Sequence, residues 1–177
     1  MPDRIDYQLD ERGVATITLR RPEVHNAFDD TMIESMIDTL AEIAETPAAR
    51  VLVLQSEGKS FSAGADLAWM KRMADYDFDT NLSDAGRMAD MYNALYQMSQ
   101  PTIALVNGAA YGGGVGLVAA CDFAIGGPKA QFCLSEVALG LVPAVISPFV
   151  VEAIGVKAFK RYSMSGLSFS ADDALRM

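Results

Sequence analysis

Three consecutive glycines, Gly112-Gly113-Gly114, sit where an apolar, strand-like run (Thr102 to Val106) hands over to an apolar, helix-like run that continues through Ala120. Glycine loses more chain entropy on folding than any other residue. A packed element therefore retains such a run only for a backbone reason: an unusual φ/ψ, a close approach, or room for something to reach the main chain. At a strand-to-helix junction the free N–H groups and the helix dipole also favour negative charge. The stretch from Asn107 to Leu117 thus reads either as tight helix-on-sheet packing or as a backbone donor site for an oxyanion. It lacks both the Gly-x-Gly-x-x-Gly spacing after a first strand and the Lys-Ser/Thr of a phosphate loop, so nucleotide binding is a poor fit.

Small residues dominate a second strand-to-helix handover, Gly58 to Leu67. Asp66 is placed to cap a helix expected over Leu67 to Met73, and that structural role is preferred to a catalytic one. The two junctions, 64–66 and 112–114, could each aim one backbone N–H at a common point. Paired donors of that kind stabilise an enolate or a tetrahedral oxyanion. Glu136, in the apolar setting Leu134-Ser135-Glu136-Val137, is the nearby titratable group. Desolvation would raise its pKa and suit it to proton transfer at neutral pH; a salt-bridged core carboxylate is the alternative. Ser62 and Ser135 have no histidine or lysine close in sequence, which leaves a serine nucleophile unsupported. The single histidine, His25, lies in the loop Arg20 to Phe28 and reads as a structural or surface group.

The rest of the chain alternates strand and helix signals, which points to an α/β fold. Val14 to Leu19 alternates like a strand. A helix starts at Asp29 or Asp30, with capping-box spacing in Thr31-Met32-Ile33-Glu34. Met32, Ile33, Met36, Ile37, Leu40 and Ile43 make its apolar face, and Pro47 ends it. Val51 to Leu54 is a continuous apolar run, expected as a strand buried on both faces of a parallel sheet. Ala74 to Ser83 reads as a solvated loop, and a helix follows from Asp84 to Met98 with Met88, Met91, Tyr92 and Leu95 on one side. Short strands are expected at Asp122–Ile125 and Gln131–Cys133. An apolar segment, Ala144 to Ile154, a basic helix with Lys157, Lys160 and Arg161, and a helix start at Ser170 complete the chain.

A length of 177 residues with 51% hydrophobic content suits a single domain, 1–177, with one sizeable core. The net charge of −9 disfavours nucleic acid and anionic membrane as partners. Cys121 and Cys133 have no metal-ligand spacing and read as buried free thiols. With no signal core at the N-terminus and no membrane-spanning run, a soluble cytoplasmic protein is expected.

Four blocks carry a resemblance: Phe61-Ser62-Ala63-Gly64-Ala65-Asp66-Leu67, Asn107 to Gly114, Ala119-Ala120-Cys121-Asp122 and Gln131 to Glu136. In order and spacing, from about Val14 onward, the chain resembles the enoyl-CoA hydratase/isomerase (crotonase) superfamily. The resemblance implies a crotonase-like ββα spiral core, an acyl-CoA thioester substrate and homotrimers or hexamers built from trimers. Coenzyme A would arrive as part of the substrate, with no separate cofactor and no metal. The resemblance makes Ala65 and Gly113 the two oxyanion-hole donors. It places Ala63, Asp66, Leu67 and Ala68 against the CoA arm and the start of the acyl group, and Val24 and Ala27 along the pantetheine and adenine.

Glu136 falls on the second of the two carboxylates that hydratases of this family use. The first belongs four residues into the Gly-rich helix, where this chain has Gly116. Two-glutamate hydration is therefore not carried over intact, and single-glutamate relatives include Δ3-Δ2-enoyl-CoA isomerases. Gly113 to Asp122 and Gly140 to Val151 are similar to bacterial methylglutaconyl-CoA and carboxygeranoyl-CoA hydratases of leucine and acyclic-terpene degradation. That similarity implies a branched, carboxylated 2-enoyl thioester such as 3-methylglutaconyl-CoA, with Gly116 clearing space for the branch. The rival readings are an isomerase using Glu136 alone and an inactive acyl-CoA-binding or assembly subunit. Family members continue through further C-terminal helices, so the resemblance also implies that the trimerisation helices are largely missing beyond Ala174-Leu175-Arg176-Met177.

Overall fold

The computed structural model describes residues 4–177. The alternating run Val14–Leu19 forms β2, which pairs antiparallel with β1, Ile5–Leu9, a strand not expected from the sequence. On its other side β2 pairs parallel with β3, Val51–Ser56. Parallel pairing continues to β5, Thr102–Val106, and β7, Phe123–Gly126, giving a five-stranded sheet in the order β1-β2-β3-β5-β7. A second, four-stranded sheet has the order β4-β6-β8-β9, from Ser60–Ser62, Ala109–Tyr111, Gln131–Cys133 and Phe169–Ser170. Each pair β3/β4, β5/β6 and β7/β8 lays one strand in each sheet before the chain turns into a helix or 3-10 turn. This is the expected α/β architecture with a ββα spiral core.

Helix α1, Asp30–Ala44, buries Met32, Ile33, Met36, Leu40 and Ile43, as its periodicity predicts. The capping box at Thr31-Glu34 does not form. Asp29 is the N-cap and accepts from the Met32 N–H at 3.1 Å, while Glu34 pairs on the surface with Arg87. Burial in β3 alternates: Leu52 and Leu54 are sealed, whereas Val51 and Val53 are half-buried. One face of the sheet packs on the core, and the other is only partly covered. Helix α2 spans Leu67–Met73, and α3 spans Phe78–Tyr96. The expected loop is therefore confined to 74–77, because the Asp77 carboxylate caps the Thr80 N–H at 2.8 Å and starts the helix early. Helix α4 is Gly113–Ala119. The apolar and basic segments merge into α5, Ser147–Ser165, kinked at Gly155 (φ 76°). A capping box between Ser170 and Asp173 opens α6, Ala171–Leu175. Both cysteines are free, Cys133 buried and Cys121 partly so. Among the described residues no helix is long and apolar enough to cross a membrane.

Candidate active site

The second sheet decides where the site lies. Its strands β4, β6 and β8 are adjacent and parallel, so their C-terminal ends emerge side by side. The segments that follow are Ala63 to Asp66, Gly112-Gly113, and a 3-10 turn at Ser135–Leu139. Three stretches far apart in sequence, carrying Ala65, Gly113 and Glu136, thereby share one edge. Ligands of α/β sheets commonly sit beyond the carboxyl ends of parallel strands.

At the first junction Ala65 bridges Phe28 in parallel. The Phe28 N–H donates to Gly64 O at 2.8 Å, and the Asp66 N–H donates to Phe28 O at 2.9 Å. This ladder uses the groups on either side and leaves the Ala65 N–H with no acceptor among the described residues. At the second junction Gly112 adopts φ 50° and ψ −122°, which a side chain would resist. Its N–H donates to Cys133 O at 2.8 Å, and the Gly113 N–H that follows has no acceptor among the described residues. The two junctions touch, since a Cβ on Gly64 would lie 2.8 Å from Gly113 N. Both readings of the glycine run apply. Gly114 is tight packing alone, its Cβ position overlapping Ser62 O, whereas Gly113 is packed against Phe28 and Tyr92 and also keeps a free N–H.

Glu136 lies over this glycine turn, with Oε1 3.3 Å from where a Gly112 Cβ would be. Its Oε2 is buried without a hydrogen-bond partner, and no cation pairs with it among the described residues. Burial, opposed only by a backbone hydrogen bond, raises its pKa above the usual carboxylate range. It is not the salt-bridged core carboxylate that was the alternative. The arrangement offers two free N–H groups and one carboxyl group with an unsatisfied oxygen, which is a set able to hold an oxyanion and move a proton.

The loop before α1 closes against the first junction. Asn26 is fully buried at φ 54°, accepts from the Arg21 N–H and donates to Glu57 O and Ser60 O. His25, also left-handed, places Nδ1 3.0 Å from Ser60 Oγ, the structural role expected of it. The Ala63 N–H reaches His25 O at 2.9 Å. Val24, Ala63, Leu67 and Ala68 are exposed along this seam, and Ala27 is buried behind it.

Two of the expected contact residues are occupied within the fold. Asp66 has no free polar hydrogen for a ligand. Its N–H goes to Phe28, its carbonyl accepts from Met70, and its carboxylate holds the Ala68 and Trp69 N–H groups and Arg21 (2.9 Å). Burial alone would raise the Asp66 pKa, but these partners hold it below the usual range. Asp66 is scaffold. Gly116 opens no space either. A Cβ there would overlap Ile146 Cγ2 and lie 2.9 Å from Tyr92 Cε1, so these side chains fill the room a carboxylate would need.

Tyr92, Phe28, Arg21 and Ile146 were not foreseen as site residues. Tyr92 carried only the signal of an apolar helix face. A cavity of about 610 Å³ lined by Val115, Cys121, Asp122, Glu152 and Ile154 includes none of Ala65, Gly113 or Glu136.

Comparison with known proteins identifies the family. The family model for enoyl-CoA hydratase/isomerase matches residues 10–177. Hydroxycinnamoyl-CoA hydratase-lyase of Pseudomonas fluorescens is 36% identical over 170 residues, 94% of this chain and 62% of that protein. Trans-2-decenoyl-acyl-carrier-protein isomerase of Streptococcus mutans is 32% identical over 174 residues, 96% of this chain and 65% of that protein. The crystal structure of an enoyl-CoA hydratase from Shewanella pealeana superposes with a TM-score of 0.95 at 45% identity, over 98% of this chain and 65% of that one. The chain thus spans somewhat less than two thirds of the length of these relatives. Sequence match and superposition agree, and the chain belongs to the enoyl-CoA hydratase/isomerase family.

Proposed function

We propose that this protein is a hydratase of 2-enoyl-CoA thioesters. The observation that carries the reading is a pair of acceptor-free N–H groups, Ala65 and Gly113, at two touching junctions, with the unpartnered carboxyl oxygen of Glu136 beside the glycine turn. The thioester oxygen sits between the two donors and takes negative charge as water bonds to the β-carbon. Glu136 receives a proton from that water and delivers one to the α-carbon, so that water adds overall. A raised pKa suits a carboxyl group that must both accept and release a proton near neutrality.

For the acyl group we infer a branched, carboxylated chain such as that of 3-methylglutaconyl-CoA. The support is the similarity carried by Gly113 to Asp122 and Gly140 to Val151; Gly116, packed under Ile146, adds none. A second reading is favoured by the single carboxylate. Glu136 alone can shuttle a proton between the α- and γ-carbons of a 3-enoyl thioester, and an isomerase stands among the relatives. The test supplies 3-methylglutaconyl-CoA, crotonyl-CoA and a 3-enoyl-CoA separately and follows the absorbance of the conjugated thioester. Loss with the first two supports hydration, and a larger rate with the first supports the branched substrate. A gain with the third supports isomerisation. No change with any, for protein shown to be folded by circular dichroism, sinks the enzymatic reading.

A further inference from the structure

A glycine N–H is a useful donor only if something fixes its direction, and glycine's own dihedrals do not. The peptide that carries the Gly113 N–H is held at its own carbonyl, Gly112 O, by the Val115 N–H at 2.9 Å, and it has a hydrogen-bonded neighbour on each side. Ahead of it, the Gly112 N–H donates to Cys133 O at 2.8 Å. Behind it, the Gly113 carbonyl accepts from the Tyr92 hydroxyl at 2.9 Å. Tyr92 projects from α3, fully buried, with its ring tilted against Phe149 at 5.8 Å between centroids. Its ring edge lies 2.9 Å from the Cβ position of Gly116, and its oxygen lies 2.7 Å from that of Gly113. The side chain therefore spans the gap that two missing side chains leave on α4. Phenylalanine would fill this volume equally well, so packing does not account for the hydroxyl. Burial, with the nearby Glu136 charge, raises the phenol's pKa further and keeps it a protonated donor.

We propose that Tyr92 is a positioning residue for the second oxyanion donor: its hydroxyl holds the carbonyl of the peptide that follows the donor and so restricts rotation at Gly113, completing from the far side what the Val115 N–H does at Gly112 O, while its ring occupies the space over Gly116. The proposal rests on Gly113 acting as a thioester donor. It differs from a merely satisfied core tyrosine in one respect, that the hydroxyl governs how strongly a bound carbonyl is polarised.

A chromophoric thioester reads this directly, because polarisation of a conjugated carbonyl moves its absorbance to the red. The probe is cinnamoyl-CoA, titrated into the full chain, into Tyr92→Phe and into Met91→Leu. Met91 is an equally buried neighbour on α3 whose side chain has no hydrogen to donate to Gly113. Tyr92→Phe is expected to bind within about threefold of wild type, lose roughly half of the red shift, and lower kcat on crotonyl-CoA about tenfold with KM little changed. Met91→Leu is expected to keep the shift and kcat, whatever its effect on melting temperature. An undiminished shift and kcat in Tyr92→Phe overturn the proposal. So does an equal loss in Met91→Leu, which would assign the effect to helix packing. If wild type itself binds the probe without any shift, the donor reading of Gly113 falls first and this inference falls with it, an outcome visible before any substitution is made.

Discussion

Ala65 presents its N–H from a backbone ladder with Phe28, whereas Gly113 presents its own from a glycine run held by the Tyr92 side chain. The ladder needs no particular side chain at 65, and it is anchored from below by charge. Arg21 reaches Asp66 at 2.9 Å, Asp29 at 3.5 Å and the Ala27 carbonyl at 2.6 Å. The second arm needs an absent side chain at 113 and a hydroxyl from another helix. Phe28 joins the two: its backbone clamps Ala65, while its ring lies 2.5 Å from the Cβ position of Gly113. The difference teaches where each arm is vulnerable, the first through buried charge and the second through volume.

Arg21→Met should do the greatest damage, and through the first arm. With a side chain 14% exposed, Arg21 faces Asp66 at 12% and Asp29 at 9%. Removing it leaves the shielded Asp66 without its cation and Asp29 with Arg4 alone. Breaking a buried pair in this way costs about 3–5 kcal/mol. The sign of the pH dependence follows from Asp66. Its folded pKa is depressed, so its contribution is present above the unfolded pKa and is lost as pH falls through the folded value. The gap between wild type and variant in urea denaturation should be full at neutral pH and shrink in acid. A gap independent of pH would show that charge does not anchor this arm.

Gly113→Val attacks the second arm by volume. Its Cβ would meet Phe28 Cζ at 2.5 Å and the Tyr92 hydroxyl at 2.7 Å. Overpacking of this kind costs about 1–3 kcal/mol, and displacing one oxyanion donor lowers turnover by roughly 10²–10³-fold. Ala65→Gly, the mirror change, keeps the N–H and the ladder. It should cost only about 0.5–1 kcal/mol and leave turnover within a few-fold. Equal losses in the two variants would erase the distinction between the arms.

The two junctions were legible in the sequence because their chemistry is local: small residues where a strand hands over to a helix free the backbone, while the choice of Ala65 and Gly113 within them came from the family resemblance. The positioning groups were not legible, because their roles exist only in tertiary contact. Tyr92 reads as one more apolar position between Met88 and Leu95, and nothing near residue 92 names Gly113. The early start of α3 was hidden among the acidic residues 75, 77 and 79, of which only Asp77 caps the helix. Gly116 was misread for a related reason. A missing side chain does not say who takes its room, and here Ile146, far along the chain, takes it. The glycines of the two helices allow a direct check. Gly116→Ala should destabilise by about 1–3 kcal/mol. Gly86→Ala, on α3 with nothing near its Cβ position, should stabilise by about 0.5–1 kcal/mol. If Gly116→Ala is neutral, the space is open after all and a branched acyl group regains it.

The smallest effect on stability concerns the group both arms serve. Glu136 has a pKa raised chiefly by burial, which means the folded protein holds its proton more readily than the unfolded chain does. Its contribution to stability is therefore full below the unfolded pKa and is lost as pH rises through the folded one. Glutamine removes that penalty while keeping the shape of the side chain. Glu136→Gln should melt at the same temperature as wild type in acid and slightly higher at neutral and alkaline pH. The gain is less than about 1 kcal/mol, because part of the carboxyl group is screened by solvent. The same variant should lose turnover by about 10²–10⁴-fold, the usual contribution of a proton-transfer group. Gaining stability while losing chemistry is what a carboxylate kept for its reaction would show. A variant that melts lower at every pH would instead make Glu136 a residue that the two arms depend on for their own shape.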